Sequence, residues 1–556
     1  MRSARVRSCA VVGTAAVLLL SACSSSPNAH NGAAKGGGVL TIGGASGPQT
    51  ENNNPFIGTS AAMNVGYGAM IYETLALVNP IRPADKPQAW LAKDWSWSPD
   101  FRTLTLTARD GVTWSDGKPF TAADIAYTLQ LVKAHPALNG AAVPYQDIKA
   151  EGDKVVLGFA SPQFVNQSNI LSTFIVPEHI WSAQANPETW TDPDPVGTGP
   201  YKLEHFAPQA MTLKRRDGYW KTAPQVAELR YTTFNDNTGI TTALASGAVQ
   251  WAWVPMPNIK SVYLDKDPAH NHGWFPPSLG AIGLWLNNEK GPFKDKALRQ
   301  AASLVIDRQT IATQGQYGLA PAIDSPTGIP LPSGQSFLSA KYKDVRLTPD
   351  AAKARQILTA AGYTYSGSQL LDPSGKPVAV TLTDPAGWAD YLADLDIIQG
   401  NLTSIGVQVS IRTQTADAWS NAFSIGDFDA TMHWTNGGST PYDMYANIMD
   451  GSQYQPLGTA AQGGNQGRYR NPEADAALKE FTSATDDAQR AHALATLQDL
   501  MATDVPIIAT HASAVGGEYS TKDWVGWPTE EDPYAPPQHA QRTALDVVLH
   551  LRPATS

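Results

Sequence analysis

Cysteine is almost absent from this 556-residue chain, which has two, at positions 9 and 23. Everything beyond Cys23 lacks a thiol. That excludes a disulfide framework, a Cys-ligated metal and a cysteine nucleophile from the body of the protein. Basic residues are in deficit too, 40 Lys and Arg against 50 Asp and Glu, for a formal charge of −10. A nucleic-acid partner would favour the opposite sign. Long apolar runs are scarce: Ala10 to Leu20 spans eleven residues, short of the ~20 that a membrane helix needs. No G-x-S-x-G, H-E-x-x-H or G-x-x-x-x-G-K occurs. Ser115-Asp-Gly-Lys118 fits S-x-x-K, but Gly117 sits in an expected turn rather than in the helix that motif requires. His270-Asn-His272 reads as a solvated loop rather than a metal site. Acidic pairs such as Asp192 with Asp194, or Glu530 with Glu531, say nothing about separation in space. These absences count against an enzyme, and no catalytic residue, metal or cofactor is assigned.

What the chain does have begins with its first residues. Arg2, Arg5 and Arg7 precede the short apolar run, and Leu20-Ser21-Ala22-Cys23 resembles a bacterial lipobox. Residues 1–22 are read as a lipoprotein signal peptide and Cys23 as the lipidation site, on the extracytoplasmic face of the bacterial cell membrane. Losing residues 1–22, with three Arg and no acid, takes the charge from −10 to −13. Residues 23–38, rich in Ser, Gly, Ala and Asn, read as a flexible tether. The length, beyond the ~250–300 residues at which one core stops growing, predicts two or three lobes. Aromatics are abundant, with 16 Trp, 19 Tyr and 14 Phe.

Strand and helix signals alternate. Leu104 and Leu106 in "RTLTLTAR" share one face at period two, an expected strand. Asp116-Gly117 marks a turn, and Thr121 with Asp124 a capping box before a helix burying Ile125, Leu129 and Val132. "KALRQAASLVID" predicts a second helix with Leu298, Ala301 and Val305 on one side. A strand at Val378, Val380 and Leu382, a helix at Leu395, Ile398 and Leu402, and a strand at Val407, Val409 and Ile411 predict an α/β unit. "TDPDPVGTGPY" (191–201), "NNEKGPF" (287–293) and the region before Ala509 suggest boundaries.

Several of these segments resemble one family together. "FRTLTLTARDGVTWSDGKPFTAADIAYTL", "VGTGPYKL" and "GLWLNNEKGPFKDKALRQAASLVIDRQTI" are similar, in order, to elements of the family 5 extracellular solute-binding proteins. These are the receptors of peptide, nickel and oligosaccharide ABC importers. "ALASGAVQWAW" departs from the family's Gly-Glu-x-Asp, with Gln250 at the Asp position. The resemblance implies an α/β, three-lobed periplasmic-binding-protein-like fold (type II, cluster C) with a hinged ligand cleft. Lobe I is expected at 39–78, 195–285 and 508–556, lobe II at 79–194, and a closing lobe III at 286–507. It also implies partner ABC permease and ATPase subunits, a lipid anchor in the membrane, no nucleic acid, and action as a monomer.

The ligand reading turns on "HWTNGGSTPYDMY" (433–445). Peptide-binding relatives carry a W-x-x-D-like element there, whose Asp meets the peptide ammonium. Here Trp434 matches, but Gly437 stands where the acid would be. Aromatic faces and neutral polar groups suit sugar rings. The expected ligand-binding residues are Trp434, Trp419, Asn436, Trp388, Gly437 and Ser439, with Trp419 placed by the family pattern. Trp524 and Trp527 are further aromatics to be placed. The favoured ligand is a short oligosaccharide; the alternative is an oligopeptide, its ammonium met by Asp443 or another acid. A surface hydrolase or structural lipoprotein is the remote third.

Overall fold

The computed structural model describes residues 38–555 except 45, 387 and 462, and except the side chains of 416 and 417. The leader, Cys23 and the tether up to residue 37 lie outside the described residues. Among the described residues three sheets carry an α/β fold.

Side-chain periodicity decides the first sheet. Strand Thr103–Ala108 alternates buried and half-exposed residues, with Leu104 and Leu106 fully inside. It pairs antiparallel with Ala92–Trp97 and Lys154–Gly158, and Asp147–Glu151 completes four strands. Helix Ala122–Ala134 packs on this sheet, burying Ile125, Leu129 and Val132. Its capping box is present: the Asp124 carboxylate accepts from Thr121 N at 2.9 Å, and Thr121 Oγ1 accepts from Ala123 N at 3.2 Å.

A second, seven-stranded sheet gathers distant segments. Its middle strand, Gly38–Gly44, runs parallel to both Val226–Thr233 and Trp251–Ala252. Ala210–Arg215 and Tyr201–Ala207 extend one side; Gly517–Ser520 and Asn271–Trp274 extend the other. Trp524 and Trp527 belong to the core beside this sheet. Trp524 lies against Gly38 and donates its indole N–H to Val39 O, and Trp527 donates to Trp524 O. The Glu73 carboxylate pins the first two sheets together. It is buried and accepts from Trp90 Nε1 at 2.6 Å, Tyr219 Oη at 2.7 Å and Trp220 Nε1 at 2.8 Å. With three donors its desolvation is offset.

The third sheet has five strands, in the order Gln408–Gln414, Ala379–Pro385, Ala430–Trp434, Pro277–Leu286, Ile507–Ala514. Ala379–Pro385 and Gln408–Gln414 are parallel, so they need a crossover, which helix Ala389–Thr403 supplies. Helix Lys296–Val305 buries Leu298, Ala301 and Val305 against it. Just beyond, Arg308 is buried and donates to Ala509 O and Ser303 O, both at 2.9 Å, tying this helix end to the sheet.

The chain passes between the seven- and five-stranded sheets twice. It leaves Asn271–Trp274 for Pro277–Leu286 through residues 275–276, and returns from Ile507–Ala514 to Gly517–Ser520 through 515–516. The limit expected at 285–286 therefore falls inside a strand of the five-stranded sheet. The two passages touch: Val515 N donates to Pro276 O at 2.9 Å.

"VGTGPY" has a steric explanation. A Cβ on Gly197 would lie 1.8 Å from Ile71 O, and one on Gly199 2.4 Å from Met70 O. Gly199 N also donates to Ile71 O at 2.8 Å. The chain here lies directly on the carbonyls of helix Gly68–Ile71, and only glycine permits that approach. Gly197→Ala is expected to destabilise the fold by at least ~1–3 kcal/mol, the usual cost of overpacking. Urea denaturation with an unchanged m-value checks this.

Candidate functional site: an aromatic cleft

The five-stranded sheet delivers its strand ends to a cleft of about 340 Å³. One wall is Trp388, Asp390 and Tyr391 at the start of helix Ala389–Thr403, with Trp434 at the end of strand Ala430–Trp434. The floor is His511 to Ala514, with Ile282 on the neighbouring strand. A third side is Gln316, Tyr317, Leu319 and Ala320. The opposite side, Trp253 to Pro255 with Phe275, comes from the seven-stranded sheet's end. No Lys or Arg is among the lining residues.

Among the described residues Trp434 is the most exposed large apolar side chain, at 45%, and Trp253 follows at 38% among aromatics. Trp434 is presented by a stack behind it. His433 lies over Phe423 at 4.0 Å and 16°, and Trp434 lies over His433 at 4.0 Å and 28°. Trp419 stacks on His433 at 5.2 Å and 20°, and meets Trp388 edge-on at 4.9 Å. Burial holds the His433 pKa down to about 4, so the ring in this stack is neutral.

The structure brings Trp388 and Trp434 to the cleft and leaves the other expected residues out of its lining. Trp419 is buried, because its helix packs on the sheet and its indole N–H is already bonded to Thr431 Oγ1 at 2.7 Å. It reaches the cleft only by bracing Trp388 and Trp434. Asn436 and Gly437 are exposed and Ser439 is half-buried, in a loop that folds back toward Pro277–Leu286. Asn436 N is tied to Asn447 Oδ1 at 3.0 Å, and Gly437 rests beside Gly280. Asp443 is turned inward beneath Gly438, where an added Cβ would lie 1.8 Å from its carboxylate. It does not reach the cleft lining.

Several lining residues carried signals that went unread. Trp253 closes "ALASGAVQWAW", a stretch singled out for Gln250. Gln250 itself is a structural clip: its amide accepts from Thr41 N at 2.9 Å and donates to Asp523 at 2.7 Å. Gln316 and Tyr317 follow a π-helical turn, Ile311–Gly315, and Tyr317 has φ +55°, a strained value for a bulky residue. His270 is paired with Asp267 at 2.9 Å and His272 stacks on Tyr519. Among the described residues no group of three metal-ligating side chains is arranged to hold an ion.

Residues 86–456 match the model for bacterial extracellular solute-binding proteins, family 5. The chain belongs to this family. It is the solute-binding component of an ABC importer. It is 26% identical over 518 residues to the oligopeptide-binding protein AppA of Bacillus subtilis, covering 88% of this chain and 90% of the relative. The nickel-binding periplasmic protein of Escherichia coli is 26% identical over 418 residues, 72% of this chain and 76% of that one. In structure, this family 5 receptor is similar to a periplasmic oligopeptide-binding protein of Thermotoga maritima, with TM-score 0.83, 24% identity, and 93% of this chain and 99% of that one covered. The same Thermotoga protein solved with mannohexaose bound aligns at TM-score 0.75, with the same identity and coverage.

The receptor's cleft wall is backed by acids without counter-cations. Asp384 and Asp394 are fully buried, and burial pushes both carboxyls up to about 8. Asp384 accepts from Met432 N at 3.0 Å and Asp394 from Gln316 Nε2 at 2.9 Å, too little to reverse desolvation. Asp390 is raised for the same reason. Because the folded pKa values exceed the ordinary 3.8, the native state binds more protons than the unfolded chain between about pH 4 and 8. Stability therefore falls as pH rises through that window. The unfolding midpoint is expected to drop from pH 5 to pH 8, and less so in Asp384→Asn. Calorimetry at matched ionic strength checks it; a flat profile in the parent protein would contradict it.

Proposed function

We propose that this receptor captures a short oligosaccharide between its seven- and five-stranded sheets and delivers it to a membrane permease. The observation that carries the reading is the pair of exposed tryptophans, Trp253 and Trp434, from different sheets in one cleft without a Lys or Arg in its lining. Sugar rings stack their C–H faces on indoles and present hydroxyls to neutral polar groups such as Gln316, Tyr391 and Ser513. The mannohexaose held by the Thermotoga neighbour supports a carbohydrate in this fold.

In this reading the three-lobe layout has lobe III running from about 277 to 514. It closes on the solute by bending at the two passages, 275–276 and 515–516, and a closed shape is one a permease can recognise. Lipidation at Cys23 would keep the receptor beside that permease, weakly with one chain and firmly with more. The receptor acts as a monomer and turns over nothing it binds.

An oligopeptide is the second reading. The oligopeptide-binding relatives favour it, as does Asp390, an acid in the cleft wall. A thermal-shift screen separates the two. Cellobiose, xylobiose or chitobiose is expected to raise the melting temperature by mass action, and a pool of tri- to pentapeptides is not. A shift with peptides alone sinks the carbohydrate reading. Trp434→Ala and Trp253→Ala are each expected to weaken sugar binding about 10–100-fold, as truncation of a central aromatic anchor does. Unchanged affinity in titration calorimetry would make that tryptophan mere packing.

A further inference from the structure

We infer that the inner end of the cleft is built for a primary ammonium group, so that the captured solute is an amino sugar. This rests on the carbohydrate reading and narrows it.

The argument starts with His511, which lines the cleft yet has no exposed surface. Its tautomer follows from its neighbours. Thr510 Oγ1 donates to Ile282 O at 3.0 Å, so toward His511 Nδ1, at 3.1 Å, it acts as acceptor. Nδ1 therefore carries the proton, with Asp394 Oδ2 also 3.8 Å away. Burial keeps the ring neutral at any ordinary pH, with its pKa held down to about 3. Nε2 is left as a bare acceptor, and it has no hydrogen-bond partner among the described residues. Such a group needs a donor.

A second acceptor stands in the same lining, and two buried carboxyls lie outside it. The Asp390 carboxylate, half-buried in the wall, is held only by the backbone N–H groups of Asp390 and Tyr391. Asp394 Oδ1, buried behind, also lacks a partner. It occupies the space a Gly315 Cβ would fill, at 1.9 Å, so the π-helical turn is shaped around it. On the other side Glu518 is buried under Val254, accepting from its N–H at 3.2 Å while Oε1 stays unpaired. His511 Nε2 and the Asp390 carboxylate are thus acceptors among the lining residues, with no Lys or Arg there to balance them. The buried Asp394 and Glu518 carboxyls, raised by burial, are further acids that a nearby cation draws toward ionisation.

A primary ammonium supplies both missing things, three N–H donors and a positive charge. Trp388 and Trp434, in the same lining as Asp390, offer indole rings to which a cation is attracted. A neutral sugar brings donors but no charge. A zwitterionic peptide brings an ammonium together with a carboxylate, for which this lining has no cation. A metal ion is disfavoured because the described residues hold no three-ligand set. An amino sugar satisfies the indole faces and the acceptors together.

The test is titration calorimetry of the purified receptor with three β-1,4 disaccharides: cellobiose, the disaccharide of glucosamine, and its di-N-acetylated form. The free amine is expected to bind about tenfold or more tightly over the other two, as a charge-assisted hydrogen bond predicts. Asp390→Asn, a near-isosteric change at a half-buried site, is expected to bring the affinity for the free amine down to that of its di-N-acetylated form. Equal affinity for all three, or a preference that survives Asp390→Asn, would overturn the ammonium inference and leave the carbohydrate reading standing. Binding of a tripeptide but of no disaccharide would overturn the carbohydrate reading. N-acetylating that tripeptide would then still decide the ammonium site, since unchanged affinity refutes it. Silence of every probe would refute both.

Discussion

The two strand passages at 275–276 and 515–516, joined by the Val515 N to Pro276 O hydrogen bond, are the constraint on which the rest depends. Apart from Phe275, which lies in the first passage, the residues lining the cleft come from one side or other of this pair. Trp253 is carried by the seven-stranded sheet, and Trp388, Trp434 and His511 by the five-stranded one. The crossing is packed tightly at the backbone. A Cβ on Gly516 would lie 2.3 Å from Trp274 O and 2.4 Å from Phe275 Cα. The connection is narrow, two passages of chain wide. Cores of buried aliphatic and aromatic residues on both faces of the five-stranded sheet hold its cleft residues in register.

Within that frame, presentation of Trp434 rests on keeping His433 neutral. A charged imidazole sandwiched between aromatic rings would carry a desolvation cost that only a counter-ion could offset, and none is near in the stack. Burial removes the proton instead, and the ring becomes a flat neutral spacer between Phe423 and Trp434. The buried acids behind the wall follow the same rule with opposite sign. Each takes up a proton to avoid an isolated charge. The cleft is therefore surrounded by groups whose ionisation the fold suppresses, and which a ligand of the right charge can restore.

Much of the scaffold was legible in the sequence, and the reasons are local. The alternation at Leu104 and Leu106, the Thr121–Asp124 capping box and the strand–helix–strand run from 378 to 411 are short-range patterns, and each stands where expected. The cleft was legible only in part. Trp434 and Trp388 line it, but Trp419 points inward, because Thr431 offered its N–H a buried partner that no one-dimensional pattern reveals. Asn436, Gly437 and Ser439 sit on a loop whose direction is set by the helix starting after Pro441. Trp253, Gln316 and His511 lie far apart in sequence and meet only through the topology of two sheets. Their signals, a second Trp in a departing motif and a Gln-Tyr pair between two glycines, are individually weak.

The missing acid at Gly437 acquires a different meaning once the cleft is assembled. Read alone, it implied a ligand without charge, since the family's ammonium partner was gone. In the ammonium inference the acid is relocated to Asp390 rather than removed. Asp390 stands in the wall beside Trp388, reached from a helix start rather than from the loop after Trp434. The two positions are not equivalent. An acid at the exposed Gly437 position would stand outside the cleft lining, whereas Asp390 shares that lining with Trp388 and Trp434. In the inferred arrangement, placing the acid at Asp390 changes the frame on which a cation is mounted, from the loop after Trp434 to the aromatic cleft wall.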